Sequence, residues 1–513
     1  MLRHSESLAR PADAEGGGQE SVTPIESSQT RTYFVARDFA ANARWWRIVD
    51  LAVFGVWLAV VGAVLQRHEP WADEAQSWLL ARDLDFRTLW FHELRYNGTP
   101  GLWHTILWLA QHWFHAPYAA MGTIGMVCAA GGAAYILWRC PFPRPLPYLL
   151  AFSYFVAYQY AVVARSYNLI PLLLFAACDL YDDGEHPERL TPALVLLATV
   201  SVHGTLFAGV LGACYLLRHW SKSGGALRRR YLYCAAVLMA TFLFVYLVIR
   251  STPDVAVFVN HQVTEPLLMK LELNVAYPLF DWLTPSAIFL VLAGAWCVRR
   301  RQGLPFLLLT AGILMLVVLL YGRPHHVGLV FLAVMAGLWI AWPRRDEAQE
   351  FSPGERWMTR AMAALLVCVL GVNIWDAVYA MEKDYALPYS GSADAAEYLK
   401  RVDASKASIF GYTYGTSAVQ AYFDRNIMTN TPTTYYHEGL PLRATSLDVG
   451  ELQIANPEFV VIYSNDGAGT FNAADPPLRA IGYRLVHVSE GSIFFKRFVF
   501  DTDSYFIYRR VQP

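Results

Sequence analysis

Apolar runs of membrane-spanning length recur along this chain from Val49 to Ala380. A helix needs about 20 mostly apolar residues to cross the hydrocarbon core, and within it every backbone N–H and C=O must be satisfied inside the segment. A polytopic helix bundle is the architecture that fits such a pattern. Only 16% of the residues are charged, against about 25% in soluble domains. After Met381 the charges return and the runs shorten. Three regions are therefore expected: a cytoplasmic, disordered tail over 1–30, a transmembrane domain over 31–380, and a soluble α/β domain outside the membrane over 381–513.

A net charge of −1, with no basic stripe carrying interleaved aromatics, gives no reason to expect a nucleic-acid partner. All seven cysteines lie in or at the ends of apolar runs, and no CxxC spacing occurs. Neither a zinc site nor a disulfide framework is suggested, and small buried hydrophobes are the expected role. The first 30 residues are polar, with Gly16 to Gly18 in a row, and no apolar core follows Arg3. They read as disordered rather than as a signal peptide.

Positive flanks stay cytoplasmic. Arg37, Arg44 and Arg47 precede the first run, which places the amino terminus inside and Arg67 outside. Arg139 and Arg144 should be inside again, so an odd number of crossings separates them from Pro70. Gly101 to Phe114 is short and rich in Trp and His, and reads as a helix lying in the interface. Trp90, Trp103, Trp108 and Trp113 suit that depth. Pro117 to Trp138 then crosses inward.

The same rule assigns Leu146–Ala164, Asn168–Leu180, and a pair Thr191–Val202 and Thr205–Leu217 broken at His203-Gly204. Tyr231–Ile249 follows, then a long outer loop from Ser251 to about Leu283 with an interfacial helix near Pro266 to Val275. Pro285–Cys297, Leu304–Tyr321, His325–Trp342 and Arg360–Tyr379 complete about eleven spans. In the tail, Ala393–Arg401 and Ser417–Phe423 have helical spacing. Ser408–Tyr412 and Phe459–Tyr463 read as strands, and Tyr483–Val488 is expected to pair with Ser492–Phe498 through Glu490-Gly491.

This topology brings ionisable groups from separate parts of the chain to one membrane depth. They are Asp73, Glu74, Arg82 and His104 in the first loop, then Arg165, His203, Arg323, His325 and His326. Charged groups are costly near hydrocarbon, so the cluster points to a water-filled cavity for something anionic. Several of these groups also have a plainly structural reading. Asp73-Glu74 can cap the helix that starts near Ala75. Arg165 can reach lipid headgroups. His104, His112 and His115 suit the interface, and His325 and His326 can cap a span. Tyr435-Tyr436-His437-Glu438 in the tail reads as a solvated loop rather than an acceptor contact.

The ordered segments WADEAQSWLLARD (Trp71 to Asp83), YNGTPGLWH (Tyr96 to His104), ARSYNLIPLLLF (Ala164 to Phe175), VSVHGTLF (Val200 to Phe207) and YGRPHHVGL (Tyr321 to Leu329) resemble the GT-C superfamily of polytopic glycosyltransferases. The likeness is to the branch containing protein O-mannosyltransferases and the lipid A aminoarabinose transferase, and it spans most of the membrane domain. It implies a GT-C-type bundle, a polyprenyl-phosphate sugar as donor, and an acceptor hydroxyl on a lipid, glycan or protein at the outer face of a bacterial-type cell membrane.

The resemblance carries Asp73 and Glu74 over as the catalytic pair. It carries over Arg82, His104, Arg165, Tyr167, His203, Arg323, His325 and His326 as the substrate-binding set. The residue types suit that chemistry on their own account. Guanidinium forks pair with phosphate oxygens at two points, which fits Arg165 and Arg323 on a departing phosphate. A carboxylate such as Asp73 can take the acceptor proton, with Glu74 orienting it or touching the sugar. Single displacement with inversion is expected.

The chain departs from the family at Ser166-Tyr167-Asn168 and at Pro100-Gly101, so the likeness names neither the sugar nor a metal. No cofactor is expected; Glu265 in the second outer loop offers a further carboxylate for a divalent cation. Two other function classes compete. A transporter or flippase of lipid-linked sugars would place its charges near mid-membrane in repeated halves, which this sequence does not show. A non-catalytic assembly protein would not need Asp73.

Overall fold

The computed structural model describes residues 43–250, 266–320, 323–344, 351–436, 447–466 and 468–511. The expectations for residues 1–30, Tyr321, Gly322, Glu265, His437 and Glu438 fall outside them. The chain is mostly helical, with a strand-containing region at its carboxyl end.

Among the described residues, five helices are long and apolar enough to cross a membrane: Trp45–Leu65, Ala120–Arg139, Gly225–Ile249, Pro324–Ala341 and Pro353–Ala386. Ser166–Leu180, Leu283–Arg299 and Gly303–Leu319 are apolar but shorter. Burial separates their places in the bundle. The apolar stretch of Pro324–Ala341 is 94% buried and is walled in by other helices, whereas that of Gly225–Ile249 is 11% buried and presents its side chains outward. An apolar surface of that kind is what lipid covers.

Two stretches differ from the helices that periodicity suggests. Leu146–Ala164 is not one helix. It holds a short helix at Leu146–Ala151 and a wide turn at Tyr154–Gln159, then proceeds in tighter turns. Tyr154, Tyr158 and Tyr160 in it are buried and direct their hydroxyls to separate polar partners: Tyr154 to Gln159, Tyr158 to Asp384, and Tyr160 to the carbonyl of His325. Satisfying those hydroxyls competes with a regular helical ladder. The second difference is the break expected at His203-Gly204, which falls at Thr199–Ser201 instead. Ser201 accepts the Gly204 N–H at 3.0 Å and starts the Val202–Trp220 helix. Gly204 is needed for close approach, since a Cβ there would lie 2.2 Å from the Leu197 carbonyl oxygen.

The tail forms a four-stranded sheet in the order β1-β2-β6-β3, from β1 (Ile409–Tyr412), β2 (Phe459–Ser464), β3 (Tyr483–Ser489) and β6 (Ser504–Arg510). β1 and β2 are parallel, and β6 is antiparallel to both β2 and β3. Successive side chains alternate faces. Phe459, Val461, Tyr505 and Ile507 enter one core, while Val460, Ile462, Phe506 and Tyr508 enter the other.

The expected hairpin from Tyr483–Val488 to Ser492–Phe498 does not form. β3 pairs with β6, and β4 (Ser492–Phe495) pairs with β5 (Phe498–Thr502) in a separate ribbon. The segment Ser390-Gly391 lies against Gly491, where a Cβ would meet backbone at 2.6 Å, and so it occupies the place of the expected turn.

Asp503, between β5 and β6, is fully buried and receives hydrogen bonds from the hydroxyls of Ser390 and Tyr505. Burial pushes its carboxyl up to about 7, against those hydrogen bonds. A carboxyl raised on folding contributes stability that is complete below its unfolded value, near 3.9, and is lost as pH rises through the folded value. The difference corresponds to a loss on the order of 4 kcal/mol between pH 4 and pH 7. Asp503→Asn keeps an acceptor oxygen and removes the titration. Its thermal midpoint should therefore fall less than that of the wild type between pH 5 and pH 8; equal falls would show that Asp503 does not titrate in this range.

Candidate active site

The site is built on the helix Ala72–Asp83, here α2, which follows Ala43–Leu65 (α1) in the chain. Three parts of the molecule hold it. Ala72, Ala75 and Leu79 complete the core on one face of the tail sheet. Trp78 and Ala81 pack with Trp103, Leu107, Met121 and Ala164, and Leu80 packs with Leu89, Leu94 and Val248. The tail is therefore not a detached domain: the first loop contributes a helix to its core.

The acidic pair at the start of α2 divides. Glu74 is completely buried. Its carboxylate closes the helix start on the Trp71 N–H at 3.3 Å, accepts the Ala164 N–H at 2.6 Å across 90 residues of sequence, and meets His68 Nε2 at 3.1 Å. The other His68 nitrogen lies 2.8 Å from Asp384, which also accepts the Tyr158 hydroxyl at 3.0 Å. Burial alone would lower the His68 pKa, but the Asp384 and Glu74 carboxylates outweigh it and hold the group well above 6.5. The result is an imidazolium clamped between two carboxylates. Glu74 does not line the cleft; its carboxylate holds the Ala164 backbone against α2.

Asp73, one residue earlier on the helix, faces outward and is 15% exposed. Its Oδ2 lies 3.0 Å from Arg165 Nη1, and its Oδ1 accepts the Tyr436 hydroxyl at 3.1 Å. The Arg165 guanidinium stands 6.0 Å from the Trp71 ring and 5.6 Å from the Tyr167 ring, within reach of a cation–π attraction to both. The Arg165 N–H donates to Asn168 at 2.9 Å, which shapes the turn that presents the guanidinium.

These groups border a small open cleft, with Asn97, Thr99, Trp103 and His104 also lining it. His104 is buried, and burial lowers its pKa to about 4, so it is neutral at pH 7. Its Nε2 is 3.4 Å from the Asn97 amide, and its Nδ1 has no hydrogen-bond partner among the described residues.

Behind Tyr167 lies a layer of histidines. The Arg323 backbone N–H donates to His326 Nδ1 at 3.2 Å, which leaves the Nε2 proton of neutral His326 to donate to the Tyr167 oxygen at 2.9 Å. The His203 and His325 rings lie 4.6 and 4.2 Å from that of His326. The Nε2 atoms of His203 and His325 have no partner among the described residues.

Of the residues expected from sequence, Asp73, His104, Arg165 and Tyr167 line the cleft, and His203, His325 and His326 stand directly behind it. Arg323 opens the short turn Pro324–His326, is exposed, and does not line the cleft. Arg82 does not line the cleft either. It pairs with Asp83 at 2.6 Å and donates to the Phe423 carbonyl at 2.5 Å, so it ties α2 to the tail.

Tyr436 and Gln76 enter the site without having been expected there. Gln76 holds both backbone groups of Tyr436, accepting its N–H at 3.1 Å and donating to its carbonyl. The sequence signal at that end is the Tyr435-Tyr436-His437-Glu438 run, which reads as a solvated loop. Among the described residues, no group of three or more His, Cys, Asp or Glu is arranged to hold a metal ion. Compared with models of known protein families and with curated proteins, the sequence finds no match.

Proposed function

We propose that this protein is a membrane glycosyltransferase of GT-C type that moves a sugar from a polyprenyl-phosphate donor to an acceptor hydroxyl. The observation that carries the reading is the Asp73–Arg165 pair in one open cleft, a candidate base beside a candidate phosphate ligand drawn from distant parts of the chain. The acceptor oxygen attacks the anomeric carbon, its proton passes to Asp73, and the carbon–oxygen bond to phosphate breaks with its electron pair on the phosphate. Arg165 offsets the charge that develops there. Attack opposite the departing phosphate inverts the anomeric centre.

In this reading the bundle has about eleven spans, the amino terminus is cytoplasmic, the Leu102–Phe114 helix lies in the interface, and the tail sits on the outer side of a bacterial-type cell membrane. Ion pairs support that topology. Arg139 meets Asp179, Arg144 meets Asp50, and Arg218 and Arg344 share Asp182, so basic residues assigned to the inner side find partners in its connections. The acceptor is a lipid, glycan or protein.

The test is a polyprenyl phosphate carrying a radiolabelled sugar, offered to the purified protein in vesicles with an envelope extract as the acceptor mixture. A transferase moves label into the extract; a flippase only relocates it across the bilayer, and that result would remove the reading. Arg165→Ala should weaken donor binding about 10- to 100-fold, the range for losing charge-assisted hydrogen bonds. Unchanged donor affinity would strip Arg165 of its role.

A further inference from the structure

Residues 433–436 run along α2 from its end toward its start. The Thr434 hydroxyl donates to Asp83, the Tyr436 backbone is held at both edges by Gln76, and the Tyr436 phenol reaches Asp73. The phenol is positioned rather than incidental. Its ring packs 5.4 Å from that of Tyr414, which in turn packs 5.3 Å from Tyr463 on β2. A segment 363 residues away in sequence thus delivers one hydroxyl to one oxygen of the candidate base, while Arg165 takes the other.

A base that abstracts an acceptor proton must first accept a hydrogen bond from that acceptor hydroxyl. In this structure Asp73 Oδ1 accepts such a bond from Tyr436. We infer that the Tyr436 phenol is a stand-in for the acceptor hydroxyl: it marks the acceptor subsite, keeps water off Asp73 while the acceptor is absent, and is displaced by the incoming hydroxyl. This rests on the transferase reading. A phenol does the task that a water cannot be trusted with. Water bound at the same oxygen would attack the anomeric carbon and pass its proton to Asp73; the sugar–phosphate bond would break with its electrons on the phosphate, and the donor would be spent as free sugar and polyprenyl phosphate. Tyr436 is accordingly a positioning and selectivity residue, acting through Asp73.

The strap is held to Gln76 by backbone groups alone, so Tyr436→Phe and Tyr436→Ala leave its anchor in place. Two readouts on the full-length protein in detergent decide the matter. The first is coupling of glycinamide to Asp73 by a water-soluble carbodiimide, followed by peptide mass spectrometry and normalised to the exposed Glu397. Labelling should rise several-fold from wild type to Tyr436→Phe and further in Tyr436→Ala. The second is hydrolysis of a polyprenyl phosphate bearing a radiolabelled hexose, with water as the sole acceptor. It should rise several-fold in Tyr436→Phe and return to background when Asp73→Asn is added. Unchanged labelling and hydrolysis, in a protein whose sugar transfer still depends on Asp73, would overturn this inference alone. Increased labelling with no donor cleavage by any variant would overturn it together with the transferase reading.

Discussion

Asp73→Asn protein should insert, fold and melt like the wild type, and on the transferase reading its sugar transfer should fall by about 10²- to 10⁴-fold, the range for loss of a general base. Folding should survive because the clamp that seats the start of α2 belongs to Glu74, His68 and Asp384, none of which the substitution touches. An asparagine side chain still fits beside Tyr436 and can accept its hydroxyl. What it lacks is the charge facing Arg165 at 3.0 Å and the basicity to take an acceptor proton. Transfer of labelled sugar by purified protein, beside a thermal melt of the same sample, separates the two effects. Residual transfer above a tenth of the wild-type rate would move the base elsewhere, and Glu74, sealed in its clamp, would not be the replacement.

The second large effect concerns the tip of the β4–β5 ribbon. Phe495 enters the core of the helix bundle, and the next two residues carry cations into it. Lys496 is fully buried, 2.5 Å from Asp281 and 2.8 Å from Asp376; Arg497 meets the same carboxylates at 2.6 and 2.8 Å. The Lys496 backbone has φ of 53°, a left-handed conformation that a non-glycine residue holds only when its surroundings enforce it. Its N–H donates to the Tyr154 hydroxyl at 2.9 Å.

Lys496→Met keeps the length of the stem and removes the charge, leaving two buried carboxylates to share one arginine. Removing one partner of a buried pair costs about 3–5 kcal/mol. The lower part of that range is expected here, because the contacts to Asp376 are close without being aligned as hydrogen bonds. The melting temperature should drop, and the ribbon should become open to protease before the rest of the chain. Adding Asp376→Asn should recover part of the loss, since the charge left behind is what destabilises. A single-variant loss under about 1 kcal/mol would mean that the quartet is solvated rather than sealed.

Both predictions rest on contacts that differ in how far they could be read from the sequence. The long apolar runs were legible, because span length is set locally by hydrocarbon thickness and by the need to satisfy backbone groups within the segment. The buried strand Phe459–Ser464 was legible for a similar reason: a run of large and β-branched residues has few other ways to be covered. The same logic failed between residues 146 and 164. An apolar run that carries buried tyrosines answers to partners on other segments, and hydropathy does not record them. It failed again for β3 and β4, where loop length suggested a hairpin and the close passage of Ser390-Gly391 excluded it.

The candidate site shows the same division. Residue types and their order singled out Asp73, His104, Arg165, Tyr167 and the three histidines, because charged or ring-nitrogen groups beside apolar runs are conspicuous. They did not separate Asp73 from Glu74. The two are adjacent carboxylates on one helix turn, and only the 100° between successive side chains sends one to the cleft and the other to His68 and the Ala164 N–H. Nor could sequence take Arg82 out of the site or bring Tyr436 in. Those outcomes were decided when the tail packed onto Ala72, Ala75 and Leu79 of α2. What the sequence determined by itself was where the long apolar helices and the buried strand lie and which side chains could do chemistry, since those follow from local periodicity and residue type. Which of these side chains face one another was left to tertiary structure, because a hydrogen bond or ion pair acts over about 3 Å and nothing in the order of residues encodes that distance.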